Sequence, residues 1–413
     1  MAAPTYQAGA PAVSLRERPA VRRVNSSHQN PGRIPSLDGL RALSIGCVLF
    51  AHLAGTQGFL TQASIACLGD LGGLGVRFFF VISGYLISTL LFEEHRRNGQ
   101  ISIRSFYLRR TLRIFPAAYA LILSITLASR WNWAAVTPSD LGHALTYTMN
   151  FHGARSWIFG HLWSLSTEEQ FYLLWPIVVL WGGRLGATRT AAAVIVLTPA
   201  LRLALWSAFP GWRSNLSVAS MGMDAIATGC LLAALRPKLE AHTVYQRILS
   251  SRRLPALALL IVAINALEGG SRLAFGAGFT VLNVLIAVLI HHAIKFRHYP
   301  FGRVLNHASF AHIGVLSYSL YLWQQIFLNR TGKFWINEFP QNLACAFLAA
   351  CISNHAVERP FLAIRHWLES RHQPVKPGLE RCGRTPSVVR AGHGSLQHDH
   401  GSGKSSKLGS NIG

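Results

Sequence analysis

Apolar residues in this chain gather into long segments that alternate with shorter polar or basic segments. A helix needs about 20 mainly apolar residues to cross a hydrocarbon layer roughly 30 Å thick. Segments of this kind recur along the chain, so the pattern predicts an all-α polytopic membrane protein with about ten transmembrane helices. The predicted spans are 39–56, 74–92, 112–129, 162–181, 190–209, 218–235, 254–268, 273–293, 312–330 and 336–355.

The composition favours a polytopic membrane protein over a soluble one. Of the 413 residues, 50% are hydrophobic and only 13% are charged, whereas a soluble protein carries about 25% charged residues. Between Ala42 and Phe92 the only charged residues are Asp70 and Arg77. One integral domain follows from this distribution.

The basic residues predict the orientation of the spans. With the N-terminus in the cytoplasm, the segments on that side hold thirty Lys and Arg residues and the opposite loops hold seven. The positive-inside rule therefore places both termini in the cytoplasm. We predict an integral domain over 34–361 between two polar tails, 1–33 and 372–413, whose composition indicates disorder. The segment 141–152 is interpreted as interfacial or re-entrant.

The formal net charge of +23 does not indicate a nucleic-acid-binding protein. Such a protein carries a basic face on a soluble module, whereas here the basic residues lie between apolar segments. The charge follows mainly from topology, together with attraction to anionic lipid. Because no span carries the His or Cys spacing of a zinc site, we expect no metal.

The first predicted span carries an unusual polar stripe. Arg41 and His52 are eleven residues apart, so they project from one helical face, about 16 Å apart along the axis. Asp38 lies within roughly 40° of the same stripe. Ionisable groups at membrane depth are costly, which makes this stripe a candidate functional site.

A second polar group lies at the outer end of the fourth span, in residues 161–172. His161 and Glu168 are seven residues apart and share a helical face, and Glu169 points roughly 100° away. The alternative is structural, because acids favour helix N-termini and aromatic residues anchor spans at the interface. The gathering of a histidine and two acids favours a functional role for at least one of them.

Three further segments carry candidate chemistry. The run 106–116 contains Arg110 and Arg113, which either mark the cytoplasmic side or grip a polyphosphate. The glycines and Ser83 in 75–85 favour close helix packing. Asp224 is a lone acid within a span, and 317–325 is rich in hydrogen-bonding groups.

At this point the chain resembles the integral-membrane acyltransferase family 3, which includes bacterial O-acetylases of surface polysaccharides. The resemblance covers about Ile34 to Phe361, and its motifs occur in the family's order. They are Leu-Asp-Gly-Leu-Arg with Arg-x10-His (Arg41, His52), Gly75 to Gly84, Arg110 to Pro116, His161 to Tyr172, Met223 to Ala225, Ser317 to Trp323 and Val357 to Pro360.

The resemblance implies transfer of an acyl group, expected to be acetyl, from cytoplasmic acyl-CoA to a sugar hydroxyl near the outer face of the bacterial cytoplasmic membrane. His52 is the only histidine on its stripe, and an imidazole is the usual general base for a hydroxyl. Glu168 is expected to orient the imidazole, stabilise its charged form or take part in proton transfer, with His161 as the alternative base. We expect catalytic roles for His52, Glu168, Glu169 and His161, donor binding by Arg41, Arg110, Arg113 and Asp38, and acceptor contacts from Trp163, Ser164, Asp224 and Tyr318.

The sequence departs from the family at two positions. Members often carry an acid in place of Arg77 and a histidine in place of Gln324, so an essential role for either is not expected. The competing function is a transporter or flippase of a glycan or lipid-linked substrate without covalent chemistry. Internal repeats or paired broken helices would favour it, and the sequence shows neither. A structural scaffold would explain the apolar spans but not the polar stripe.

Overall fold

A computed structural model describes residues 34–208, 213–267, 274–332 and 334–372. The predicted tail 1–33 lies outside these ranges, and so does the predicted tail 372–413 except for His372. The residues up to Trp367 form one compact unit, and a second unit begins at Leu368. The described residues form helices and no strands, which confirms the all-α prediction. The helices are α1 Pro35–Leu53, α2 Gln62–Ile65, α3 Leu71–Asn98, α4 Ile103–Arg130, α5 Pro138–Leu145, α6 Trp157–Gly160, α7 Leu162–Ala208, α8 Arg213–Ala241, α9 Thr243–Leu249, α10 Leu257–Leu267, α11 Phe279–Lys295, α12 Pro300–Leu305, α13 Ala308–Phe327, α14 Gln341–Ser353 and α15 Arg359–His372.

Each of the ten predicted spans overlaps one of these helices. The predicted spans 162–181 and 190–209 both fall in α7, whose helix is interrupted at Gly183 with φ 55° and ψ −158°. Five helical segments of the described chain are long and apolar enough to cross a membrane, and the bent pair α9 and α10 makes a sixth if it counts as one span. The number ten and the cytoplasmic termini therefore stay predictions.

Local sequence explains where the central helices begin and end. The Asp70 carboxylate accepts a hydrogen bond of 2.8 Å from the Gly73 backbone N–H and caps α3. The same helix ends at Gly99, whose φ of 72° is readily adopted only by glycine. In α5, Thr137 and Asp140 form a reciprocal capping box.

Glycines allow the central helices to pack with their backbones in contact. A Cβ atom on Gly84 of α3 would lie 2.1 Å from the Ile226 carbonyl oxygen of α8. A Cβ atom on Gly314 of α13 would lie 1.9 Å from the Asp38 carbonyl oxygen of α1. The close packing expected for residues 75–85 is present, and α1 is held between α3 and α13.

The segment 141–152 folds against α7. The Ser166 hydroxyl accepts a hydrogen bond of 3.2 Å from the Met149 backbone N–H. The Gln170 side chain donates to the Tyr147 carbonyl at 2.8 Å and to Asn150 Oδ1 at 3.0 Å. These contacts brace the segment of α7 that carries the two adjacent acids, while its depth in a membrane stays a prediction.

Candidate active site

A cavity of about 500 Å³ lies where α1, α3, α6, α7 and α13 approach one another. His52, in the last turn of α1, and His161, just before α7, both line it. Trp163 and Gln325 are also in its wall. Two histidines that are more than a hundred residues apart in sequence thus line one cavity.

His52 is paired with an amide of α13. Its Nδ1 lies 2.7 Å from the Oε1 atom of Gln324, which is fully buried. An amide oxygen only accepts hydrogen bonds, so His52 Nδ1 carries the proton and Nε2 is left as the acceptor. The ring also meets Trp157 edge to face, with centroids 5.3 Å apart.

The environment of His161 is built by α7 and α13. Its backbone N–H donates to Gln325 Oε1 at 3.0 Å, and its carbonyl accepts from the Tyr321 hydroxyl at 3.0 Å. Tyr321 Oη lies 2.6 Å from the Ser164 hydroxyl, and its ring meets the His161 ring edge to face at 5.6 Å. The predicted residues His161, Trp163 and Ser164 therefore belong to the cavity or its immediate wall.

Glu168 belongs to a different polar centre. Its Oε1 accepts 2.7 Å from the Ser83 hydroxyl, and its Oε2 accepts 3.4 Å from the Tyr172 hydroxyl. Arg41 and Arg110 are the cations that act on its charge. The structure therefore pairs His52 with Gln324 and Glu168 with Ser83 and Tyr172, and the role of Glu168 toward His52 stays a prediction.

The three arginines that were predicted to bind the donor form one cluster. Arg41, Arg110 and Arg113 act electrostatically on one another, and Asp38 lies 3.7 Å from Arg41. The Arg110 guanidinium lies over the Tyr172 ring at 5.4 Å.

Arg110 and Arg113 are available to an anion. Within the part of the chain that the structure describes, their guanidinium groups form neither a hydrogen bond nor an ion pair. The neighbouring Arg109, by contrast, pairs with Glu94 at 3.2 Å. Glu169 also acts on the charge of Arg110, and its Oε1 has no hydrogen-bond partner among the described residues.

The structure adds Glu358 to this centre, a residue that sequence reasoning missed. Its carboxylate accepts hydrogen bonds from the Ser319 hydroxyl and, at 3.3 Å, from Asn354 Nδ2. Arg113 acts on its charge. The motif 357–360 was the available signal, because an acid near the end of an apolar span needs a partner.

Asp224 is not a lone acid, and that interpretation was wrong. Arg202 donates two hydrogen bonds to its carboxylate, at 3.0 and 2.5 Å, and the Thr280 hydroxyl donates a third at 2.6 Å. Both charged side chains are buried. An acceptor contact was expected of Asp224 because a charged residue within a span often binds a substrate. In the structure its carboxylate is instead neutralised by Arg202 of the preceding helix α7.

Tyr318 and Arg77 have packing partners as well. The Tyr318 hydroxyl donates to the Ile114 carbonyl at 2.7 Å and joins α13 to α4. The Arg77 guanidinium stacks over the Phe279 ring at 3.7 Å. Neither residue is in the wall of the cavity that contains His52.

The stripe of α1 is filled between its two ends. Ser44, Ile45 and Val48, which lie between Arg41 and His52, are at most 2% exposed. A Cβ atom on Gly75 of α3 would lie 2.5 Å from the Ser44 carbonyl oxygen, so α1 and α3 pack closely at this point. The two ends of the stripe are thus separate centres joined by one helix.

The helical bundle and its two polar centres define an integral membrane protein with a candidate acid–base site. Residues 34–357 match the protein family described as "Acyltransferase domain". The chain belongs to that family, which places it among acyltransferase enzymes.

Several curated proteins are similar to the chain. It is 26% identical to the "Putative peptidoglycan O-acetyltransferase YrhL" of Bacillus subtilis over 79% of this chain and 54% of that protein. It is 27% identical to the "O-acetyltransferase OatA" of Staphylococcus aureus over 80% of this chain and 57% of that protein. The chain thus spans just over half the length of these relatives. No solved structure matches it.

Proposed function

We propose that the protein is a membrane O-acyltransferase that moves an acetyl group from acetyl-CoA to a sugar hydroxyl at the outer face of a bacterial cytoplasmic membrane. The observation that carries this proposal is the cavity in which Gln324 leaves His52 Nε2 free to accept a proton. The printed names of the relatives, which are O-acetyltransferases, support the choice of reaction.

The chemistry assigned to His52 is general base catalysis. Nε2 takes the proton of the acceptor hydroxyl as its oxygen attacks the thioester carbonyl. The carbon–sulfur bond then breaks, the thiolate leaves, and the imidazolium returns the proton to the sulfur. His161, which lines the same cavity, is proposed as the alternative base.

The donor is assigned to the arginine cluster. The phosphates of coenzyme A are anions whose oxygens guanidinium groups bind with two parallel hydrogen bonds. Arg110 and Arg113 have no ion-pair partner among the described residues, as shown above, so binding a phosphate breaks no ion pair of these side chains. Under the predicted topology this cluster faces the cytoplasm, where the donor is made.

The first test is His52→Ala in membranes supplied with radiolabelled acetyl-CoA. We expect transfer of label to glycan to fall at least 100-fold, as for loss of a general base, with normal accumulation of the protein. His312→Ala is the matched control, because His312 is an exposed histidine of α13. Near-normal labelling by a stable His52→Ala protein would refute the assignment. If the wild-type protein is instead a transporter without covalent chemistry, it consumes no acetyl-CoA, and no free coenzyme A is formed in this assay.

The second test concerns the donor end. The double variant Arg110→Ala/Arg113→Ala should weaken binding of acetyl-CoA at least tenfold in detergent, because two phosphate contacts are lost. The double variant Arg104→Ala/Arg109→Ala removes the same amount of positive charge from the same part of α4. It should leave the affinity for acetyl-CoA unchanged. Equal effects of the two pairs would return all four arginines to a topological role.

A further inference from the structure

A second cavity, of about 520 Å³, lies beside the one that contains His52. We name it the Trp133 cavity. Trp157 lines both cavities, so the two cavities adjoin at this residue. The wall of the second cavity includes the aromatic residues Trp133 and Phe334 and the polar residues Asn329 and Thr331.

The aromatic side of the Trp133 cavity is open. Trp133 is 71% exposed and Phe334 is 55% exposed. Their ring centroids are 6.1 Å apart and the planes are tilted by 33°. Exposed aromatic residues also form interfacial belts in membrane proteins, but these two neighbouring rings share the wall of one cavity with the side chains of Asn329 and Thr331. Two tilted rings with adjacent polar side chains form a site for an amphipathic ligand.

Trp157 contacts residues on several sides of its ring. The Trp157 Nε1–H donates to the Gln325 carbonyl at 3.1 Å. The Arg330 guanidinium lies 5.4 Å over the Trp157 ring, and His52 meets that ring edge to face. These contacts hold the ring beside the imidazole, so a ligand of the Trp133 cavity that packs against Trp157 lies next to His52.

From these observations we infer that the Trp133 cavity is the subsite for the sugar acceptor, with Trp133 as its stacking platform and Trp157 directing one hydroxyl toward His52. A pyranose ring has apolar C–H faces that pack on aromatic rings and hydroxyl groups that form hydrogen bonds with amides. The cavity offers both kinds of partner, in its aromatic and its polar residues. This inference rests on the proposed transferase function, and it adds the location of the acceptor.

The test separates the acceptor from the donor. Native membranes that contain Trp133→Ala are supplied with radiolabelled acetyl-CoA, and both the label in glycan and the affinity for acetyl-CoA are measured. We expect labelling at limiting acceptor to fall at least fivefold, with the affinity for acetyl-CoA unchanged. Trp133→Phe, which keeps a ring, should recover most of the labelling. Trp131→Ala is the matched control, because Trp131 is 68% exposed but is not in the wall of this cavity.

The outcomes of this experiment have distinct meanings. Wild-type labelling by a stable Trp133→Ala protein overturns the subsite, and so does an equal loss for Trp131→Ala. A wild-type protein that labels no glycan overturns the proposed transferase function itself. Retained affinity for acetyl-CoA in Trp133→Ala shows that the variant is folded, so a loss of labelling is then a loss of acceptor binding.

Discussion

Replacing Gln324 by leucine is expected to slow acetyl transfer without unfolding the protein. Gln324 accepts the 2.7 Å hydrogen bond from His52 Nδ1 and is fully buried. Its own Nε2 has no partner among the described residues. Leucine of similar size removes the acceptor and this unsatisfied amide together, so the two effects on folding oppose each other. We therefore expect the free energy of unfolding to change by only about 1 kcal/mol.

The effect on the reaction is larger because the tautomer of His52 changes. With leucine at 324, a proton on Nδ1 would be a buried donor without a partner, which costs about 1–3 kcal/mol. The imidazole avoids this cost by moving the proton to Nε2, where it can reach the polar cavity, and that tautomer cannot accept the proton of a hydroxyl. The active tautomer becomes rarer by about 5- to 150-fold, and the turnover number falls by the same factor.

The assay is steady-state transfer in membranes, with separate determination of the turnover number and of KM for acetyl-CoA. Only the turnover number should fall, because Gln324 does not belong to the arginine cluster. Gln324→Glu keeps an acceptor oxygen at the same place and should retain activity within a few-fold of the wild-type protein. An unchanged turnover number in a stable Gln324→Leu protein would refute the tautomer argument, as would an equal loss in Gln324→Glu.

Two further predictions concern the bundle. Asp224→Leu leaves the Arg202 guanidinium buried without its carboxylate and should lower the free energy of unfolding in detergent by about 3–5 kcal/mol. Adding Arg202→Met should restore part of this stability. Additive losses in the double variant would contradict a coupled pair. Gly84→Ala places a Cβ atom 2.1 Å from the Ile226 carbonyl oxygen and should lower the unfolding temperature, at a cost of about 1–3 kcal/mol. Gly46→Ala, where a Cβ atom meets nothing within 4 Å, is its control, and equal thermal stability of the two variants would argue against close packing.

The helices were predictable because hydropathy is a local property of the sequence. Each predicted span overlaps a helix, and the glycines of residues 75–85 lie at a close crossing. The arginine cluster was also within reach, since Arg110, Arg113 and Arg41 fall on one side of the predicted topology. A further signal was overlooked: Arg202 and Asp224 carry opposite charges in adjacent predicted spans, and such charges tend to pair.

The partners of the candidate catalytic residues could not be predicted from the sequence. Gln324 is 272 residues from His52, and nothing local distinguishes its amide from the next one, Gln325. The departure from the family at this position suggested that it was dispensable, yet an amide oxygen supplies the same hydrogen-bond acceptor that a neutral histidine nitrogen supplies. For Glu168, the spacing along α7 predicted on which face of the helix it lies. It could not predict the hydrogen bond with Ser83, because Ser83 belongs to a separate helix.

If the arginines bind the donor as proposed, the separation of the two centres limits how that donor reaches His52. The stripe of α1 is filled, and opening it at Gly75 would pull apart the backbones of α1 and α3, which are in contact there. At the start of α7, by contrast, His161, Ser164 and Glu168 follow one another at helical spacing and share one face. This face leads from the cavity toward the arginine cluster. Between them lies the 2.6 Å contact of Ser164 with Tyr321. Side-chain hydroxyls separate by rotamer changes that cost far less than the separation of packed helices, so we expect the donor to pass between α7 and α13 rather than along α1.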